Sequence, residues 1–216
     1  AALSAHDFMR RVLVDKLNVR KLIIGYDNRF GHDRTEGFDD YVRYGREMGM
    51  EVIRNRAFAI EGAHVSSSMI RSLLEEGRVD MAHRCLGYPY TLSGKVVGGY
   101  RNGRKLGFPT ANIDVAGTGQ LIPEAGVYAV RVRLEHSVMR LPGMMNIGTR
   151  PTFDGHRQTL EVHIFDFEGN LYGQQVMVSF VQRIRSERKF DNLLQLTEQL
   201  KADRAKAAEL LGLKEL

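Results

Sequence analysis

The sequence predicts two layers of different kind in series: a parallel α/β layer over residues 1–87, then an antiparallel β-barrel or sandwich over 88–216 that ends in a helix. Three observations carry this. Before Gly87, short apolar runs alternate with segments of helical period. After Tyr88 the apolar pattern changes to period two, with Gly, Pro, Asn and Asp between the runs. The last residues return to helical spacing.

The elements follow in order. Residues 4–17 carry Phe8, Val12, Leu13 and Leu17 at helical spacing, with Ser4 placed to cap. KLIIGYD, 21–27, reads as a buried strand, 38–48 as a helix and MEVIRNRAFAI, 50–60, as a second strand, an alternation that implies a parallel sheet. Residues 79–87 form a helix stopped by Gly87 before Pro89, so Tyr88-Pro89 is the expected linker. Beyond it, TLSGKVVGGY, GVYAVRVRL, MRLPGMMNIG, TLEVHIFDF and QQVMVSFVQRIR are β-type runs. An amphipathic helix over about 191–211, with Leu193, Leu196 and Leu200 on one stripe, is expected to cover an open side of the barrel.

Composition narrows the function classes. The 216 residues are 43% hydrophobic and 26% charged, as in ordinary globular domains, and no apolar run is long enough to span a membrane. The first residues lack an apolar signal core, and the single Cys85 cannot form an intrachain disulfide, so a cytoplasmic protein is expected. Net charge is +5, but the excess is spread without a Lys/Arg block or a basic helix. Anionic small molecules account for it, and neither nucleic acid nor membrane is expected as a partner. Oligomeric state is not legible.

The stretch richest in chemistry is Gly94–Asn112, GKVVGGYRNGRKLGFPTAN, with five glycines and four basic residues. Glycines there let backbone approach a ligand, Arg101, Arg104 and Lys105 add charge, and the combination suits a nucleotide phosphate. Thr110 and Asn112 sit two apart, on one face of an extended segment, where their oxygens could ligate a hard cation such as Mg²⁺. A Gly-rich basic hairpin before a proline turn would carry the same composition. Two segments of the first layer are also suggestive. GYDNRFG, 25–31, follows a strand end, where open α/β sheets bind ligands, although Asp27 and Asn28 are also turn formers. VSSSMIRSLL, 65–74, offers serines at a helix N-terminus with Arg71 one turn in, which favours anions.

Gly94–Asn112 closely resembles the signature of riboflavin kinases, and the flanking residues resemble the bacterial bifunctional riboflavin kinase/FAD synthetases. The resemblance implies a partial nucleotidyltransferase-type Rossmann-like domain, 1–87, before a complete kinase domain, 88–216, built as a Greek-key-like barrel. It implies two reactions for an intact protein: riboflavin plus ATP to FMN, and FMN plus ATP to FAD. ATP would be held in the kinase half by Gly94, Gly99, Arg104, Lys105, Thr110, Asn112 and Tyr172, with Thr110 and Asn112 as the Mg²⁺ pair. Glu161, in LEVHIFDF, matches the family's proposed base for the riboflavin 5′-hydroxyl. NIGTRPTF supplies Asn146 and Arg150, and IRSERKF supplies Arg185 and Phe190, near the flavin. In the first domain Gly25, Asp27, Ser66, Ser67 and Arg71 match the adenylyltransferase ATP motifs.

Departures from the family pattern set further expectations. Asn28 stands in place of an aromatic residue, Ser68 in place of Thr and Asn170 in place of Asp. The family's histidine-bearing first motif is not among these residues, so FAD synthesis by this chain alone is expected to be impaired. Two alternatives remain at this point: a stand-alone kinase with a scaffold front domain, and a β-barrel binding module using basic loops on RNA or a protein.

Overall fold

The computed structural model describes residues 2–25, 28–32, 34–55, 59–60, 62–99, 103, 106–152 and 155–213, without the side chains of 63, 150–152 and 155–157. The chain forms two compact units, Ala1–Val65 and Ser66–Leu216. The seam therefore lies before the Ser-rich helix, whose packing partners are in the second unit.

In the first unit, helix α1 (Ala5–Phe8) continues as a π-helical segment, Met9–Val14. The Ser4 hydroxyl caps it by accepting from the Asp7 N–H at 3.1 Å. Strand β1 (Lys21–Ile24) pairs in parallel with β2 (Glu51–Arg54), and helix α2 (Phe38–Glu47) connects them. The parallel α/β unit expected from the alternation is present. Its core is Ala5, Met9, Ile24, Tyr41, Met48 and Met50. Gly45 faces β2, where a Cβ would strike the Met50 carbonyl at 2.6 Å, so only glycine allows this close helix–strand contact. The run expected as one strand over 50–60 is divided: β2 stops at Arg54, and β3 (Ala59–Ile60) makes a hairpin with β4 (Ala63–His64).

The second unit opens with helices α3 (Ser67–Glu75) and α4 (Val79–Leu86). Gly87 ends α4 in the left-handed conformation, φ +79°, as its position before Pro89 requires. Six strands follow: β5 (Thr91–Val97), β6 (Ala111–Asp114), β7 (Gly126–Leu134), β8 (Leu141–Thr152), β9 (Gly155–Ile164) and β10 (Gln175–Arg185). They close an antiparallel barrel in the order β10-β5-β6-β9-β8-β7. Period two supplies the core. Alternate residues Leu92, Val96, Ile113, Tyr128, Val130, Val132, Met145, Ile147, Leu160, Val162, Val176, Val178 and Phe180 are all buried and fill the lumen.

Helix α5 (Leu193–Leu210) lies on the outer face of the barrel, where Ala207 and Leu211 meet Phe108, Ala129, Met144 and Phe165. The Asn192 side chain caps it by accepting from the Gln195 N–H at 2.9 Å. The packed stripe starts at Leu196 rather than Leu193: Leu193 and Leu194 are 68% and 69% exposed, because the first turn overhangs the barrel. Helices α3 and α4 are fastened elsewhere. Helix α4 lies on β10, the Glu124 N–H donates to the Leu74 carbonyl at 3.0 Å, and Arg183 donates to the Ala125 and Glu76 carbonyls. Gly77, at φ +74°, leaves room for Arg183 and the Tyr128 hydroxyl beside it.

Candidate active site

One row of paired residues crosses the barrel wall. Val97 faces Asn112, Asn112 faces Glu161, Glu161 faces Asn146, Asn146 faces Val127, and Val127 faces Arg185. Paired residues project to the same side of a sheet. Their sequence neighbours Ile113, Val162, Ile147 and Tyr128 are buried in the lumen, so the row points outward, on the face that α5 covers. Four of the residues picked from sequence, scattered over more than seventy positions, thus stand side by side.

Two cavities meet beside this row, at Thr110. One, of about 290 Å³, has Asn146, Glu161, His163, Arg185 and Phe190 in its wall, with Leu196 and Leu200 of α5 opposite. The other, of about 470 Å³, opens at the barrel mouth between Val96, Val162, Ile164 and the segment Gly169–Tyr172. It exists because β6 is short. Strand β6 pairs with β9 only at Ala111↔Val162 and Asn112↔Glu161, so the ladder ends there and lumen residues face open space. Thr110, the next residue out, lines both cavities, and its hydroxyl donates to a Glu161 carboxylate oxygen at 3.3 Å.

The remaining sequence-picked residues divide. Gly99 is held against Asn112: a Cβ there would overlap the amide nitrogen of Asn112, so glycine gives that side chain its place. Gly94 lies within β5 facing the lumen, where a Cβ would meet Ile113 at 2.6 Å, so its smallness serves strand packing. Tyr172 lines the larger cavity, and its N–H donates to the Asn170 side chain at 3.0 Å, so Asn170, which replaces the family's Asp, still caps the turn. Asp27, Arg104 and Lys105, and the Arg150 side chain, lie outside the described residues.

Arg185, expected near the flavin, lines the smaller cavity and is bonded to a carboxylate. Its guanidinium bonds Asp203 three times, at 2.7, 2.9 and 3.0 Å, and lies 5.7 Å from the centre of the Phe190 ring. Asp203 is 1% exposed and also accepts from Gln199 at 2.8 Å. The pair ties α5 to β10 beside the smaller cavity.

Sequence reasoning passed over Asp203, Glu187 and His163. Glu187 accepts from the Thr149 N–H at 3.3 Å and lines the smaller cavity. The signal for Asp203 was present: it is a carboxylate on the apolar stripe between Leu200 and Ala207, a place that demands a partner. His163 is 5% exposed; burial lowers its imidazole pKa below the ordinary histidine range, opposed by the hydrogen bond it donates to the Pro109 carbonyl.

In the first unit Gly25 follows β1, and its carbonyl accepts from Asn28 at 3.3 Å. Ser66 caps α3 by accepting from the Met69 N–H at 3.2 Å, leaving Ser67 and Arg71 exposed in the first turns. Among the described residues, no three His, Cys, Asp or Glu are grouped to hold a metal, and no helix is long and apolar enough to cross a membrane.

The family model for riboflavin kinase matches residues 86–211 and that for FAD synthetase matches 1–69. The bifunctional riboflavin kinase/FMN adenylyltransferase of Escherichia coli K12 is 40% identical over 99% of this chain and 67% of its own length. That of Bacillus subtilis is 34% identical over 96% of this chain and 65% of its own. A crystal structure named as a macrolide-efflux protein from Streptococcus pneumoniae matches with TM-score 0.86 at 35% identity, over 95% of this chain and 65% of that one. The chain spans about two thirds of the length of these relatives. With the kinase model covering more than half of its residues and this identity to both relatives, the chain belongs to the bifunctional riboflavin kinase/FMN adenylyltransferase family.

Proposed function

We propose that the chain transfers the terminal phosphoryl group of ATP to the 5′-hydroxyl of riboflavin, giving FMN and ADP. The observation that carries this is the placement of Thr110 where two cavities meet, with its hydroxyl bonded to Glu161 in the wall of the smaller one. Phosphoryl transfer needs a donor and an acceptor in line, held from opposite sides of one point. ATP fits the larger cavity beside Tyr172, and the flavin fits the smaller one beside Phe190, whose ring suits a flat aromatic ligand.

Glu161 accepts the hydroxyl proton as the oxygen attacks phosphorus. The new O–P bond forms as the bond from the terminal phosphorus to the β,γ-bridging oxygen breaks, and ADP leaves. Mg²⁺, when bound, neutralises phosphate charge, and the chain offers it the Thr110 hydroxyl and the Asn112 amide oxygen. Such a donor set suits a small hard cation that keeps water and phosphate oxygens in its shell, and the space Gly99 leaves holds Asn112 in place.

The adenylyltransferase half is proposed to end near Gly87, with Gly25 and Asp27 as the ATP-motif residues of the first unit and Ser66, Ser67 and Arg71 as those at the start of α3. Its histidine motif is not in this sequence, so the chain is expected to make FMN and little FAD. A dependence on ATP and a free Cys85 fit a cytoplasmic enzyme acting on small molecules. The test is incubation of the chain with riboflavin, ATP and Mg²⁺ and chromatographic separation of FMN from FAD. FMN without FAD is expected; absence of FMN would overturn the kinase, and comparable FAD would overturn the impaired second reaction.

A further inference from the structure

His163 makes a polar contact near the site that no step above uses. Its Nδ1 lies 2.8 Å from the Pro109 carbonyl oxygen. A carbonyl only accepts, so Nδ1 carries the hydrogen. Phe108 and Phe165 hold the ring, with centroids 5.4 and 5.7 Å away, and Nε2 is buried without a hydrogen-bond partner. An apolar side chain would fill this place without an unpaired nitrogen, so the imidazole's contribution is the Nδ1–H donor.

The register shows why a donor is needed. With Ala111 facing Val162 and Asn112 facing Glu161, His163 stands opposite Thr110, one step past the end of the β6–β9 ladder. Pro109 precedes Thr110, and among the described residues no backbone N–H donates to its carbonyl. We infer that His163 is a positioning residue for phosphoryl transfer: its side chain replaces the missing ladder bond, fixes the Pro109–Thr110 peptide, and so sets the Thr110 hydroxyl between the two cavities. This rests on the kinase reading for the reaction it serves, and on geometry alone for the peptide it holds.

The test compares His163→Asn, whose amide nitrogen can stand near the Nδ1 position and donate, with His163→Leu, which fills the pocket and cannot. In His163→Leu the Mg²⁺ concentration for half-maximal FMN formation rises by about tenfold or more and kcat falls, in line with lost support of a metal ligand. Riboflavin KM changes little, and His163→Asn recovers most of the loss. Calorimetry of ADP binding with and without Mg²⁺ gives a second reading, with the Mg²⁺-dependent gain lost in Leu and kept in Asn.

If His163→Leu does not fold, His163→Gln, whose donor lies one carbon farther out, is expected to show the same defect. Unchanged Mg²⁺ dependence in the Leu or Gln variant, or equal loss in Asn and Leu, would reduce His163 to packing. A parent chain that makes no FMN would instead overturn the kinase, and calorimetry alone would then decide the positioning role. Absence of any Mg²⁺-dependent ADP binding in the parent would overturn both.

Discussion

Breaking the Arg185–Asp203 pair is the sharpest test of how the flavin side of the barrel is built. Asp203 is 1% exposed and takes three bonds from Arg185 and one from Gln199. Removing the Arg185 side chain in Arg185→Met leaves that carboxylate buried and largely unpaired, a loss of about 3–5 kcal/mol. For a unit of this size the loss corresponds to a fall in Tm of about 6–20 °C. Asp203→Leu should cost less, since the Arg185 side chain is 20% exposed and can turn to water. The double variant should lie well above the sum of the singles, because no charge is left stranded. Urea unfolding of the four chains at constant m gives the coupling energy. Additive single losses of under about 1 kcal/mol would refute the argument, since that is how solvent-exposed ion pairs behave. The functional counterpart is riboflavin KM, expected to rise in Asp203→Leu as Leu196 and Leu200 of α5 lose their fixed distance from the cavity.

Three other outcomes follow from the same geometry. Glu161→Gln keeps shape and removes the base, so FMN formation should fall by about 10²-fold or more with thermal stability and ATP binding retained, as single-turnover assays and calorimetry would read. Gly99→Ala puts a methyl group into the Asn112 amide and should raise the Mg²⁺ requirement about tenfold, with Gly98→Ala, which meets nothing within 4 Å, as its control. The Tyr128 hydroxyl donates to the Glu124 carbonyl, and burial pushes its pKa up to about 12 from an ordinary 10. The fold therefore favours the neutral phenol. Its contribution is complete below pH 10 and is lost as pH rises toward 12, so Tyr128→Phe should flatten that part of the urea-midpoint profile.

The barrel was legible because period two and turn residues act locally, and each strand's inward set is written in its own residues. Closure into a barrel, as against a sandwich, was expected from the family resemblance and not from period two, since it depends on β6 pairing with both β5 and β9 over very few residues. The division of 50–60 into β2 and a separate hairpin also escaped, because an apolar run does not state where its ladder stops. At the site, Asn112, Asn146, Glu161 and Arg185 were found from their motifs, but their shared row is a matter of register across four strands, which no single motif contains. Arg185 shows the limit most clearly. The motif gave the residue, while its partner Asp203 lies eighteen positions on, in a helix whose docking the sequence does not encode locally.

The attachment of α3 to the barrel bears on how the chain can be cut. A protease clip or a gene split after Val65 would release a piece that keeps Ser66, Ser67 and Arg71 together with everything that phosphorylates flavin. A split at Gly87, near where the riboflavin kinase match begins, would instead strip α3 and α4 from β10 and deprive Arg183 of the Glu76 carbonyl. The shorter fragment would thus bear a raw apolar flank, and the longer one would carry off a part of its neighbour's tool kit.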